Sequence, residues 1–211
     1  MKHYNSLIFD CDGVVLNSNK VKTEAFYRTI LPYGEVAAQA MVSYHVANGG
    51  VSRYKKFAHF LDQIAPVHSE RDVPDLEVLI KAYAGYVQTG LLNCEVATGL
   101  KVLREQISIA RWFIVSGGDQ AELRNVFAQR GIAAWFDGGI FGSPRNKDEI
   151  LKSEIESGAI LLPALFFGDS RYDYQAANSA GLDFIFISGW TEVVDWQKWV
   201  SVNQINHQSF I

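Results

Sequence analysis

Leu7 to Val15 read Leu-Ile-Phe-Asp-Cys-Asp-Gly-Val-Val, an apolar run that closes on Asp10 and Asp12, one residue apart, followed at once by Gly13. The run predicts a buried strand entering a tight glycine turn. Both carboxylates then stand at the strand's carboxyl end, where open α/β sheets keep their binding crevices. Carboxylates this close share a cation or divide acid and base roles between them. The same Asp-x-Asp-Gly spacing also suits an ordinary solvated turn, so the rest of the chain has to decide. Cys11 alternates with the two aspartates and is expected to face away from them.

Working outward, two more apolar runs end in the same way. Ile109 to Val115 lead into Ser116-Gly117-Gly118-Asp119 and an amphipathic helix carrying Leu123, Val126 and Phe127. Leu161 to Phe167 lead into Gly168-Asp169-Ser170-Arg171-Tyr172-Asp173 and an alanine-rich helix closed by Gly181. Between them, Phe141-Gly142-Ser143-Pro144-Arg145-Asn146-Lys147 forms a loop whose lysine lies near the next helix start. Strands are expected near 6–10, 110–115, 133–137, 163–167 and 183–187. Helices separate them, including one from Gly99 to Gln106 with Thr98 as its cap. Alternation of this kind argues a parallel sheet with right-handed crossovers. From about Asn17 to Thr89 the strand signals stop. Helical faces replace them: Val21, Ala25, Phe26 and Ile30; Tyr54, Phe57, Ala58 and Leu61; then Leu76, Leu79, Ile80, Tyr83 and Val87 after Pro74.

Taken in order, Asp10-x-Asp12-Gly13-Val14, Ser116, Lys147 and Gly168-Asp169-Ser170-x-x-Asp173 resemble the four signatures of the haloacid dehalogenase-like superfamily of phosphohydrolases. The resemblance runs through almost the whole chain. It implies an α/β fold, a Rossmann-like parallel sheet of order 3-2-1-4-5, with a small helical cap inserted after strand one. The catalytic core would comprise 1–16 and 91–211 and the cap 17–90, with hinges near Asn17 to Asn19 and Gly90 to Asn93. Within the superfamily the chain resembles the capped phosphoglycolate phosphatase and β-phosphoglucomutase group.

What the resemblance implies for chemistry also follows from charge. A cluster of acids that works on a phosphate dianion needs a hard cation, here Mg²⁺ on oxygen ligands. The expected ligands are Asp10, Asp169 and the backbone carbonyl of Asp12. Asp10 would attack phosphorus to give an aspartyl-phosphate. Asp12 would protonate the departing oxygen and later take a proton from water. Ser116 and the Gly117 N–H would bind phosphoryl oxygens at a helix start, and Lys147 would offset charge. Asp173 would orient the lysine or a metal-bound water. Taken singly, Ser116, Asp169 and Asp173 suit helix capping equally well.

The helical segment carries the specificity signals. Gly50-Val51-Ser52-Arg53 is similar to the loop with which β-phosphoglucomutases hold a distal phosphate, which makes Arg53 the candidate for a second anionic group. A solvated basic face with Lys55 and Lys56 is the plainer reading. His45 and Asn48 lie just before that loop. Lys22 stands near the place where those mutases carry a histidine, which favours a phosphatase over a mutase. A non-catalytic sugar-phosphate-binding module is the remaining alternative.

Composition agrees. The chain has 211 residues, 48% of them hydrophobic and 20% charged, enough for a core with an insertion. A net charge of -4 gives no electrostatic reason to expect nucleic acid or an anionic membrane as partner. No apolar run reaches the roughly 20 residues that span a bilayer, and strand one begins too early for a signal peptide. A cytoplasmic location and a small-molecule phosphate ester are therefore expected, whereas oligomeric state cannot be read. Two cysteines, Cys11 and Cys94, do not suggest a disulfide framework. Trp190, Trp196 and Trp199 near the carboxyl end read as a helix packed on the sheet.

Overall fold

The computed structural model describes residues 3–107 and 109–211. Positions 1, 2 and 108 of the expected core segments lie outside the described residues. Strand β1 (Ser6–Phe9) is followed by helices α1 (Asn19–Ile30), α2 (Glu35–Ala47), α3 (Arg53–His59), α4 (Ala65–His68) and α5 (Leu76–Asn93), before α6 (Gly99–Gln106) and strand β2 (Arg111–Asp119). Then follow α7 (Gln120–Gln129), β3 (Gly139–Ser143), α8 (Lys147–Glu156), β4 (Ala164–Gly168), α9 (Arg171–Ser179), β5 (Asp183–Ile187), α10 (Trp196–Val202) and β6 (His207–Gln208). No helix among the described residues is long and apolar enough to cross a membrane.

The sheet is parallel with order β3-β2-β1-β4-β5-β6, which is the expected order extended by a short carboxyl-terminal strand. Its central strands alternate between two apolar faces. Leu7, Phe9, Trp112, Ile114, Leu165 and Phe167 share one cluster with Leu123, Val126 and Phe127 of α7 and with the helices after β1. Ile8, Phe113, Val115 and Phe166 face Ile150 and Leu151 of α8 and Ala176 and Ala177 of α9. At the edge, Trp196 and Trp199 of α10 pack on Phe186, as the sequence suggested for that stretch.

Three local expectations give way. Residues 133–137 are not a strand: Ala133–Trp135 form a single 3-10 turn, and β3 starts at Gly139. The turn presses Phe136 edge-on against Phe9 and Phe127, so that apolar run fills a core corner instead of the sheet. Thr98 precedes α6 but makes no side-chain cap bond. Gly90 to Asn93 lie within the last turn of α5 instead of a loop. The outgoing and returning chains meet one step later, where Ala97 N donates to Val15 O at 2.9 Å and Asn17 N to Glu95 O at 2.9 Å.

Between those two crossings the chain is helical and folds over the carboxyl end of the sheet. Phe26 of α1 packs on His45, Phe57 and Tyr83 from α2, α3 and α5. The buried face of α3 and the π-turn that continues it is Arg53, Lys56, Phe57, Phe60 and Ile64; of the predicted Tyr54, Phe57, Ala58 and Leu61, only Phe57 is fully buried. Two cations on the inward side signal that this helix covers something polar.

Candidate active site

Topology gathers the site. Phe9 is in register with Phe167 on one side and Ile114 on the other, so Asp10 and Asp169 emerge just past the carboxyl ends of β1 and β4 while Ser116 lies two residues beyond Ile114, in the last part of β2. Asp10 N donates to Phe167 O at 2.9 Å, locking β1 to β4 where the chain order reverses. The turn after Asp12 requires Gly13: its φ is +73°, and a Cβ there would stand 2.0 Å from Asp169 Oδ2.

Lys147 arrives from the other side. It is the first residue of α8, whose amino end is fixed by a capping box between Asn146 and Glu149. The lysine side chain is fully buried, 2.9 Å from Asp10 Oδ1 and in a shorter contact with Asp173 Oδ1. Asp173 also accepts at Oδ2 from the Ser170 hydroxyl, 2.6 Å, and from Ser170 N, 3.0 Å. It therefore caps α9 and holds the lysine at once. Burial alone would strip Lys147 of its proton, but Asp10 and Asp173 outweigh it and raise its pKa.

Ser116 differs from expectation in one respect. It does not open a helix: Asp119 caps α7 by accepting from Glu122 N at 2.9 Å. Ser116, Gly117 and Gly118 instead fall where the β2–β3 register shifts between Val115 and Asp119. Ser116 is fully buried and its hydroxyl accepts from Gly118 N, 3.1 Å. Gly117 and Gly118 reach the cavity, so any amide contribution to phosphoryl binding comes from a bulge without a helix dipole behind it.

Asp12 has both oxygens engaged. Ser18 Oγ donates to Oδ1 at 2.6 Å and Lys22 Nζ to Oδ2 at 2.5 Å. Burial pushes this carboxyl up, but the Lys22 charge and the two hydrogen bonds hold it below the usual carboxylate range. Lys22, flagged in the sequence only for what it replaces, is thus a direct partner of the site.

One cavity joins these groups to the helices above. Its interior offers water about 60 Å³, and its walls include Asp10, Asp12, Gly117 and Asp169 below and Lys22, His45, Gly50, Arg53 and Lys56 above. Arg53 points its charge elsewhere than expected: its guanidinium makes a bidentate pair with Glu122 of α7, 2.6 and 2.9 Å, over the Tyr83 ring. Beside it Tyr54 donates to Asp119 Oδ2 at 2.8 Å. Glu122, Asn19, Ser18 and the His45–Lys56 pair carried no signal in the sequence strong enough to place them here.

The acids fit a cation. Asp10, Asp169 and Asp173 bring carboxylate oxygens within 4.8 Å of one another. Burial lifts Asp10 to about 7, against the pull of Lys147, and lifts Asp169 well above the usual range, with the neighbouring carboxylates adding to it. Asp173 has both oxygens committed, and Asn19 takes one oxygen of Asp169 at 2.7 Å. That leaves Asp10 and Asp169 as the carboxylates able to bind a metal, an all-oxygen set suited to a hard divalent ion.

Similar folds occur among solved structures. A predicted phosphatase from Clostridium acetobutylicum superposes with a TM-score of 0.72 at 16% identity, covering 98% of this chain and 93% of that one. A predicted phosphoglycolate phosphatase from Haemophilus somnus gives 0.68 at 17% identity, covering 89% and 87%. CbbY from Rhodobacter sphaeroides, in complex with phosphate, gives 0.70 at 15% identity, covering 92% and 90%. At such identities the likeness speaks for the fold alone. No curated protein matches the chain. Residues 4–181 match the haloacid dehalogenase-like hydrolases, and with three motif residues gathered on adjacent strands and Lys147 brought to them by α8, the chain belongs to that family of hydrolases.

Proposed function

We propose that the protein is a Mg²⁺-dependent phosphomonoesterase acting on a small phosphate ester through an aspartyl-phosphate. The observation that carries the reading is the buried Asp10–Lys147–Asp173 chain, which meets the cavity at Asp10, with Asp169 alongside. Asp10 and Asp169, with the Asp12 carbonyl, would hold the cation, which offsets phosphate charge when bound. Asp10 attacks phosphorus in line, the ester oxygen leaves with a proton from Asp12, and water then releases phosphate from Asp10. Asp12 accepts the proton of that water, and its contacts with Lys22 and Ser18 favour the base form this half-reaction requires. Lys147 offsets the charge between Asp10 and the phosphoryl oxygens. Ser116 and the Gly117 amide bind those oxygens.

Two further features support the reading. The helical segment 17–90 lies over the site as a cap, and a cavity this narrow suits small molecules over nucleic acids or proteins. Both cysteines are free, which suits a reducing cytoplasmic setting. Lys22, paired with Asp12, stands against a mutase, since its ammonium is committed to the acid–base residue. Phosphate release from sugar phosphates, phosphoglycolate and nucleotides, with Mg²⁺ or EDTA, tests the reading. The expected outcome is metal-dependent release that Asp10→Asn abolishes; no release from any ester would sink it.

A further inference from the structure

Three cations, Lys22, Arg53 and Lys56, line the cavity, a fourth, Lys147, is buried against its wall residue Asp10, and three of the four are neutralised within the fold. Lys22 pairs with Asp12, Arg53 with Glu122, and Lys147 with Asp10 and Asp173. Lys56 is the exception. It is only 2% exposed, yet among the described residues no carboxylate lies within ion-pair distance of it. Its Nζ reaches His45 Nδ1 at 2.6 Å and His45 O at 3.3 Å, with the Phe26 ring 5.6 Å away. An ammonium has three donor hydrogens, so one is uncommitted among the described residues. An ammonium that donates to Nδ1 requires neutral His45 with its proton on Nε2, a second donor in the same wall of the cavity.

Burying an ammonium without a counter-ion is costly, and the cost is relieved either by losing the proton or by gaining an anion. Burial first, then repulsion from Lys22, lowers Lys56 to about 7, while Asp12 and Glu192 pull the other way from a distance. Burial, Lys56 and Lys22 likewise keep His45 neutral. The missing counter-charge is a single one. A carboxylate supplies one negative charge, whereas a second phosphate would bring up to two against Lys56, with Arg53 already spent on Glu122.

We propose that Lys56, presented by His45, is the specificity residue of the cavity, and that it pairs with one carboxylate on the leaving group of the phosphate ester. Arg53 then serves closure, tying α3 to α7 through Glu122, and not substrate recognition. This rests on the phosphatase reading for the identity of the ester but can be tested without turnover.

The test is calorimetric binding, in Mg²⁺ at neutral pH, to protein carrying Asp10→Asn. The probes are 2-phosphoglycolate and 2-hydroxyethyl phosphate, which differ at one end by a carboxylate against an alcohol. The expected result is about tenfold or tighter binding of the carboxylate, the worth of a charge-assisted hydrogen bond, with the ratio falling to about one when either Lys56→Met or Lys56→Gln is added. A ratio near one with Lys56 present, a ratio that survives both substitutions, or no binding of either probe overturns the inference. Phosphate release by the Asp10 enzyme is scored separately, so failure of the phosphatase reading leaves the binding ratio interpretable.

Discussion

At the scale of single residues, this protein distributes buried charge unevenly. Lys147 and Arg53 sit in contacts that a carboxylate completes, but Lys56 does not, and the difference predicts how stability responds to pH. The folded-state pKa of Lys56, about 7, lies below its ordinary value of 10.5. Between those limits the unfolded chain binds more protons, so this lysine makes stability rise with pH across the window. Below about 7 it destabilises the fold by the full difference. Lys22, Lys147, Asp12, Glu192 and His45 all act on the same region, and Lys22 and Lys147 are held charged by their partners. Lys56→Met should therefore stabilise the protein most at low pH. Its advantage in urea unfolding should shrink steadily at pH values of about 6, 8 and 10; an advantage independent of pH would refute the account. The sequence displayed Lys55 and Lys56 side by side as one basic face. Which of them is buried is fixed only by the rotation of α3 against α1 and α5, and no pattern of charge reveals that.

At the scale of elements, the end of β2 and the loop before α3 meet more closely than ordinary residues allow. A Cβ on Gly117 would stand 2.2 Å from the carbonyl oxygen of Gly50, so the glycine permits the loop before α3 to seat against the bulge in β2. Gly117→Ala should lower phosphate release by on the order of a hundredfold through misplacement of the loop, while the urea midpoint changes little because the loop can lift away. A rate within about twofold of the native enzyme would show that the close seating is not used in turnover. The elements themselves were unequally legible. Strands β1 and β4 are continuous apolar runs bounded by glycine turns, and their positions were readable. The run 133–137 is equally apolar but too short for periodicity to separate strand from turn. The actual β3, Gly-Ile-Phe-Gly-Ser, carries two glycines that disguise it. The register shift that lets Ser116 and Gly117 protrude arises from pairing with β3, a neighbour 25 residues or so away whose register local sequence does not encode.

At the scale of the whole molecule, four strand ends and five intervening helices converge on one acidic floor that is electrostatically strained. Asp10 is driven up by burial and by Asp173 and Asp12, and Asp169 by burial and by Asp10 and Asp173. A divalent cation that binds the folded site and not the unfolded chain must stabilise the protein by mass action. At a Mg²⁺ concentration about a hundred times the dissociation constant the gain is about 2.7 kcal/mol, visible as a raised melting temperature that EDTA reverses. Asp169→Asn should abolish most of that shift; a shift that survives it would place the ion elsewhere. Legible in the chain alone are the alternation of strands and helices, the four motif positions at strand ends and a helix start, and the family they announce, because turn chemistry and apolar runs are local properties. Packing alone sets Arg53 on Glu122, Lys22 on Asp12 and Lys56 without a carboxylate partner among the described residues. Those are contacts between residues as many as 69 positions apart, and the packing of separate elements, which no local pattern specifies, settles which charge meets which.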